Sequence, residues 1–269
     1  MRISLLLSLA IALLLGSCSE FSKAVKSTDV QYKYRMAVQY MEEPDYDRAM
    51  PLLEELLSLT RGDTLYEPVS YYYAMGHFGL KDYIMASYYL SNFAKTFRIS
   101  KHAEQCTFLA AYCHYKESPE YELDQRDTHA AIDKLELFMI RYPETALKDS
   151  CNSLIDELRL KLEKKDFFAA RQYLRTRHYR PASEAFKGFL RNWPNSIFRE
   201  EALFNILQAD HDLAVNSVES RQAERAEAGI RSFNTFADAF PESTRLPEAR
   251  ILLRDLTVLH TRTQRTSIP

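Results

Sequence analysis

Few side chains in this sequence have the type and spacing to do chemistry, and several of them are cysteines. Cys18 follows Leu15-Gly16-Ser17, where an apolar run gives way to polar sequence, so a nucleophilic thiol stands directly after small residues at a boundary. His102, Cys106 and Cys113 fall at i, i+4 and i+11 on one helix face. Imidazole and thiolate both suit zinc, but no fourth ligand is evident and the three positions fit a packing frame, so no metal site is assigned. Acidic pairs such as Glu54–Glu55 and Glu200–Glu201 are adjacent and point to diverging helix faces. They read as solvated charge and not as a paired acid and base. HExxH, GxSxG and a phosphate-binding loop do not occur. The expectation is a non-catalytic protein without cofactor, apart from what Cys18 carries covalently.

The elements around Cys18 define what that chemistry is. Arg2 supplies a positive charge, and Leu5–Leu15 is almost entirely apolar. A run of that length is too short for a bilayer, which needs roughly 20 residues, so residues 1–17 read as a secretory signal peptide. The Leu-Gly-Ser-Cys end resembles a bacterial lipobox. That resemblance implies a diacylglycerol on the Cys18 thiol and an acyl chain on its amine, and two or more chains anchor stably. Residues 18–28 then read as a lipidated polar tether. Ser19 does not resemble an inner-membrane retention signal, and no acidic cluster follows. The resemblance therefore implies the outer membrane, on its periplasmic face.

Composition excludes several classes. The net charge is −2 over 269 residues, without the basic stripe that nucleic-acid binding needs. Six glycines are far fewer than the usual ~7%, which disfavours nucleotide loops and tight β-turns. Cys106, Cys113 and Cys151 are an odd number for an exported chain and read as small residues buried on helices.

An internal repeat appears when the prolines serve as anchors. Twelve residues before Pro143, Pro194 and Pro241 sit Ala131, Ala182 and Gly229. Seven residues after each small residue is Phe138, Phe189 or Phe236, fourteen after is Thr145, Ser196 or Ser243, and twenty after is Cys151, Ala202 or Ala249. Ala86 continues the frame upstream with Phe93, Phe97, Ser100 and Cys106, and Ala49 opens a degenerate copy with Leu56 and Asp63. The anchors lie 37, 45, 51 and 47 residues apart, a spacing typical of helical solenoids. In physical terms, the small residue lets paired helices approach, and the aromatics share one face. Proline follows the helix end, and the hydroxyl or carboxylate caps what comes next.

The expected fold is all-α, a tetratricopeptide-like helix-hairpin solenoid of about five repeats over 29–262 with a flexible tail at 263–269. Helices are expected at 30–42, 46–59, 68–79, 83–96, 101–116, 127–141, 147–174, 180–192, 197–215, 221–239 and 247–262, with 117–126 an exposed loop. The stretch 216–223 is left as loop or helix extension. Tyr32, Tyr34 and Tyr40 on the first helix and Tyr71, Tyr72 and Tyr73 on the third lie on first helices of hairpins. Of these, Tyr32, Tyr34, Tyr71, Tyr72 and Tyr73 are the candidate contacts for an extended client segment, tyrosine offering apolar area with a polar tip.

At this point the sequence resembles a known family. Phe167-Phe168-Ala169-Ala170-Arg171-Gln172-Tyr173-Leu174, Tyr179-Arg180-Pro181-Ala182 and Phe189-Leu190-Arg191-Asn192-Trp193-Pro194-Asn195-Ser196 resemble the fourth-repeat signature of the BamD family, lipoproteins of the β-barrel assembly machinery. The resemblance implies a scaffold and receptor that holds the barrel-forming, BamA-type subunit by its POTRA domains through C-terminal repeats. It also implies that N-terminal repeats receive unfolded β-barrel clients. Where the family carries an arginine in the second helix of the fourth repeat, this chain has Ala185, so Arg175, Arg177 and Arg180 are the partner candidates. Two other classes share these helices: periplasmic repeat proteins that organise envelope and division complexes, and glycan-uptake lipoproteins. The first usually lack a lipobox and carry an N-terminal coiled coil; the second are much longer.

Overall fold

The computed structural model describes residues 19–266, which form twelve α-helices and no strand among the described residues. They are α1 Ser19–Lys26, α2 Val30–Glu42, α3 Tyr46–Leu59, α4 Tyr66–Gly79, α5 Tyr83–Thr96, α6 Ala103–Glu117, α7 Arg126–Arg141, α8 Lys148–Arg175, α9 Tyr179–Asn192, α10 Arg199–Val215, α11 Glu219–Ala239 and α12 Leu246–Thr266. Five hairpins run from α2/α3 to α10/α11. Neighbouring hairpins also touch through first helices, α2 with α4, and α10 with α12. Within each compact unit this is tetratricopeptide-type stacking, in which a hairpin buries its apolar face against its neighbour.

The repeat frame governs the packing. Ala49, Ala86, Ala131, Ala182 and Gly229 are all buried, as are the residues seven further on, Leu56, Phe93, Phe138, Phe189 and Phe236. Each second helix from α5 on (α5, α7, α9 and α11) stops ten residues after its anchor. The next residue, Phe97, Tyr142, Trp193 or Phe240, is the C-cap, its N–H donating to the carbonyl of Phe93, Phe138, Phe189 or Phe236. Three of those residues precede proline, which pushes them out of the helical region. The hydroxyl at fourteen does not cap the next helix directly. Ser100, Thr145, Ser196 and Ser243 each accept the N–H two residues on, and Asp63 accepts from Leu65. This closes a turn before the helix begins, which is why α6 and α10 start two residues later than expected from sequence. At Asp63 the Leu65 N–H also holds the carboxyl below its usual range.

Three of these hydroxyls are themselves donors to a carboxylate of the preceding hairpin: Thr145 to Glu104 at 2.6 Å, Ser243 to Glu200 at 2.5 Å, and Ser196 to Glu163. The reading of Glu200 as solvated charge is therefore corrected, and Glu55 is likewise paired, with Lys33.

The described residues gather into two compact units. One comprises residues through Pro119 with Leu123–Leu158, the other Glu120–Glu122 with Arg159 onward. The expected single array is thus divided within α8. At 28 residues this helix is twice the length of α9. Its first half buries Cys151, Ile155 and Leu158 in the first unit, and its second half places Phe167 and Ala170 in the core of the second. The exposed loop expected at 117–126 is partly tied down: Gln125 is buried and accepts from Thr128, and Tyr121 packs on Phe168.

Both expected ends differ. Residues 19–26 are helix, where a polar tether was expected, because Phe21 and Ala24 have an apolar surface to occupy. Helix α12 runs to Thr266 instead of ending at Arg262, so the tail expected at 263–269 is helical in its first part.

The hairpin turns carry local strain. Arg177 and Lys81 sit at φ 61° and 60°. In each turn the positive-φ residue donates to the carbonyl three back, and its successor to the carbonyl five back, the Schellman arrangement normally given to glycine. Arg177→Gly is expected to raise stability in urea unfolding by about 1 kcal/mol, the cost of a left-handed side-chain-bearing residue.

Candidate functional site

Two surfaces, one in each unit, carry unspent side chains. In the first unit an aromatic stripe runs across the first helices α2, α4 and α6. The rings of Tyr34 and Tyr72 lie 6.4 Å apart, Tyr72 meets Tyr71 edge-on at 5.5 Å, and Tyr71 stacks on His102 at 4.0 Å. The Tyr71 hydroxyl donates to Gln105. Helical spacing explains the alignment: Tyr34 and Tyr71 occupy the face of their first helix that meets the next hairpin, and Tyr72, one residue round α4, faces back to Tyr34 on the preceding one. All three tyrosines are half-buried. Burial is the first cause of the raised phenol pKa at Tyr34 and Tyr71, so these hydroxyls stay protonated donors at neutral pH.

The five candidate tyrosines separate by burial. Tyr34, Tyr71 and Tyr72 form the stripe. Tyr32 packs against the core of the first hairpin. Tyr73 is only 8% exposed, wedged against His77 and Tyr89, with its phenol pushed up to about 12 chiefly by burial. Its candidacy is corrected: on a helix, three consecutive tyrosines span most of a turn, and the third must face inward. Tyr40, noted beside them, is also core, its ring against Phe21.

In the second unit a cleft of about 530 Å³ opens between α9, α10 and α11. Its rim holds Arg180, Lys187, Arg221 and Arg225. Lys187 is paired with Glu184, and Arg221 with Glu224, and Arg225 donates to the Ser217 hydroxyl. Arg180 makes no ion pair among the described residues. At the floor, Asp210 is 6% exposed and its carboxylate accepts from the Ser232 hydroxyl at 2.6 Å. Ser183 is 2% exposed and its hydroxyl has no partner. A buried, unbonded hydroxyl is costly in a folded chain, and a ligand group reaching into the cleft would satisfy that of Ser183.

Of the three candidate arginines, Arg180 lines this cleft. Arg175 ends α8 and Arg177 occupies the strained turn, and both are exposed. Ala185, where the resemblance implied an arginine, packs half-buried against the core of this unit. Ser183 and Asp210 were not legible as site residues. Only the neighbouring helices reveal that Ser183 is left without a partner and that Asp210 is buried with Ser232 as its donor.

Neither catalysis nor metal binding finds support in the remaining clusters. Ser87 Oγ lies 3.1 Å from His114 Nε2, but Ser87 is inside α5, where backbone N–H groups are spent on helix bonds and cannot hold an oxyanion. Burial, then Lys134, lowers the His114 pKa. His102 is stacked on Tyr71, and Cys106 and Cys113 are buried, with their thiols pushed up to about 12 by burial. These thiols stay protonated in the folded chain while an unfolded thiol ionises near 9. Their contribution to stability is therefore complete below pH 9 and lost as pH rises toward 12. The urea midpoint is expected to fall across that window, and less steeply in Cys106→Ala than in the parent.

Cys18 lies outside the described residues. No described helix is long and apolar enough to cross a membrane.

Comparison with curated proteins finds no match. Among solved structures, the chain is similar to a TPR repeats protein from Bacteroides fragilis. The identity is 13%, covering 89% of this chain and 100% of that one, with a TM-score of 0.41. The fold assignment rests on the hairpins described above. Residues 26–225 match the YfiO family, described as outer membrane lipoprotein; the match spans most of the chain, and the protein belongs to that family.

Proposed function

We propose that this protein is a non-catalytic scaffold and receptor of the outer-membrane β-barrel assembly complex, anchored by lipids on Cys18 and facing the periplasm. The observation that carries the reading, beside family membership, is the second-unit cleft. It is a large, charged depression lined by a buried hydroxyl without a partner and by a buried carboxylate. Such a lining suits a folded protein partner that brings its own hydrogen-bonding groups. In this reading the partner is the barrel-forming, BamA-type subunit, engaged through its POTRA domains. The tyrosine stripe of the first unit receives unfolded β-barrel clients, since an extended segment with aromatic residues gains most from half-buried tyrosines that keep a polar tip.

Site-specific photocrosslinking in cells tests the division of labour. A crosslinker at Glu184, on the cleft rim, is expected to trap the barrel-forming subunit. One at Gln105, beside the stripe, is expected to trap newly exported barrel proteins. Capture of peptidoglycan-associated or division proteins at both positions would contradict the proposal and favour an envelope-organising role.

Arg180→Glu is expected to weaken recovery of the barrel-forming subunit at least tenfold, since it replaces a cation by a further carboxylate in a cleft already lined by Glu184, Asp210 and Glu224, with no change in urea unfolding. Quantitative co-purification gives the readout, and wild-type recovery would remove Arg180 from the interface.

A further inference from the structure

The least expected element is α1, and the least expected side chain is Lys33. An isolated helix of eight residues does not hold its shape in water, so α1 exists because it is docked. Ala24 is fully buried and the ring of Phe21 meets Tyr40 edge-on at 6.0 Å. Lys33, on α2, is 1% exposed. A buried ammonium survives only where its charge is matched and its donors are used, and two partners do this. One is the Glu55 carboxylate on α3. The other is the backbone carbonyl of Val25, 3.2 Å away. Val25 lies in the last turn of α1, where helix carbonyls lack internal partners and the dipole is negative. One ammonium thus ties the end of α1 to both helices of the first hairpin. Asp29 stiffens the connection, accepting the N–H groups of Gln31 and Tyr32 to start α2.

The consequence concerns the membrane. Ser19, the first residue of α1, is joined directly to Cys18. If Cys18 bears the lipid, no slack separates the acyl chains from a docked helix about 12 Å long. We propose that α1 is a rigid strut that holds the first hairpin, and the start of the tyrosine stripe on it, against the lipid surface, with Lys33 as its lock. The matched family region begins at residue 26, so all of α1 but Lys26 lies outside it. This inference rests on the lipoprotein reading of Cys18 given above.

The test uses the full mature lipoprotein reconstituted in phospholipid vesicles. A donor dye is placed at the exposed Arg35 through Arg35→Cys, the three buried thiols being shielded, and an acceptor dye is carried on lipid headgroups. Strong energy transfer is expected. A Gly-Ser insert of about ten residues between Cys18 and Ser19, whose ends average roughly 17 Å apart, should reduce it clearly. Ala24→Asp, which puts a charge into the docking surface, should reduce it to a similar extent without an insert, and Lys33→Met in part. Equal transfer with and without the insert would overturn the strut.

Amide exchange over residues 19–26 supplies the independent check. Protection in the parent and its loss in Ala24→Asp are expected. Rapid exchange in the parent would overturn the strut even with Cys18 acylated. A mass spectrum showing unmodified Cys18 would instead overturn the lipoprotein reading, and the strut with it.

Discussion

Phe167→Ala is expected to destabilise the second unit by about 3–5 kcal/mol, the range for deleting a fully buried aromatic ring. The ring is 1% exposed. It stacks on Phe198 at 4.7 Å and meets Phe186 and Phe189 edge-on at 5.6 and 5.5 Å. It therefore joins the second half of α8 to α9 and to the turn before α10. Such aromatic contacts add to the loss of buried area, and the surrounding helices, stapled by Ser196 to Glu163, cannot collapse into the vacancy. Trp193, the single tryptophan, lies in the same unit, with its indole N–H donating to Asp166 at 2.8 Å. Urea unfolding followed by its fluorescence reads the effect directly. A loss below about 1 kcal/mol, as for a surface site, would mean that Phe167 does not organise this core. Phe168→Ala, removing a half-buried ring, should cost less.

Cys18→Ala is expected to move the protein almost entirely from the membrane fraction to the soluble fraction. Two or more acyl chains anchor stably, and no described helix is long and apolar enough to cross a membrane. With its leader cleaved, the variant should therefore keep only protein contacts to hold it. Fractionation after a high-salt wash makes the comparison, with mass spectrometry of the parent's N-terminal peptide. Retention of Cys18→Ala in the washed membranes would show that protein contacts suffice for attachment and that the lipid is not the anchor.

The parts of the fold legible in the sequence are those written at fixed spacing. Small anchors, aromatics seven residues on and a proline after the helix specify hairpin packing locally, and every anchor is buried where the frame places it. Helices α2, α3 and α5 have the expected ends because Asp29, Asp45 and Asp82 cap them with their own carboxylates. The turn hydroxyls were assigned to the wrong task, since a serine that caps a helix and one that closes a turn two residues earlier look alike in sequence. The carboxylates that receive those hydroxyls were legible in principle. Glu104 and Glu200 both stand eighteen residues after an anchor.

What was not legible depends on long-range neighbours. The polar composition of 19–28 gave no sign that Phe21 and Ala24 would find a surface to pack on. Lys33 looks like any exposed helical lysine until Glu55 and Val25 converge on it. At the candidate sites, the tyrosine stripe followed from helix-face spacing, except at Tyr32 and Tyr73. The second-unit cleft did not, because the lack of a partner for Ser183 is a property of three helices together.

The most direct test of the central claim, that this lipoprotein is a subunit of a barrel-assembly machine, is purification of the tagged full-length protein from outer membranes with mass spectrometry of what remains bound. The account predicts recovery of an outer-membrane barrel protein carrying POTRA repeats, lost when α10–α12 are deleted and strongly reduced by Arg180→Glu. Recovery of peptidoglycan-associated or division proteins, with no such barrel among them, would contradict it.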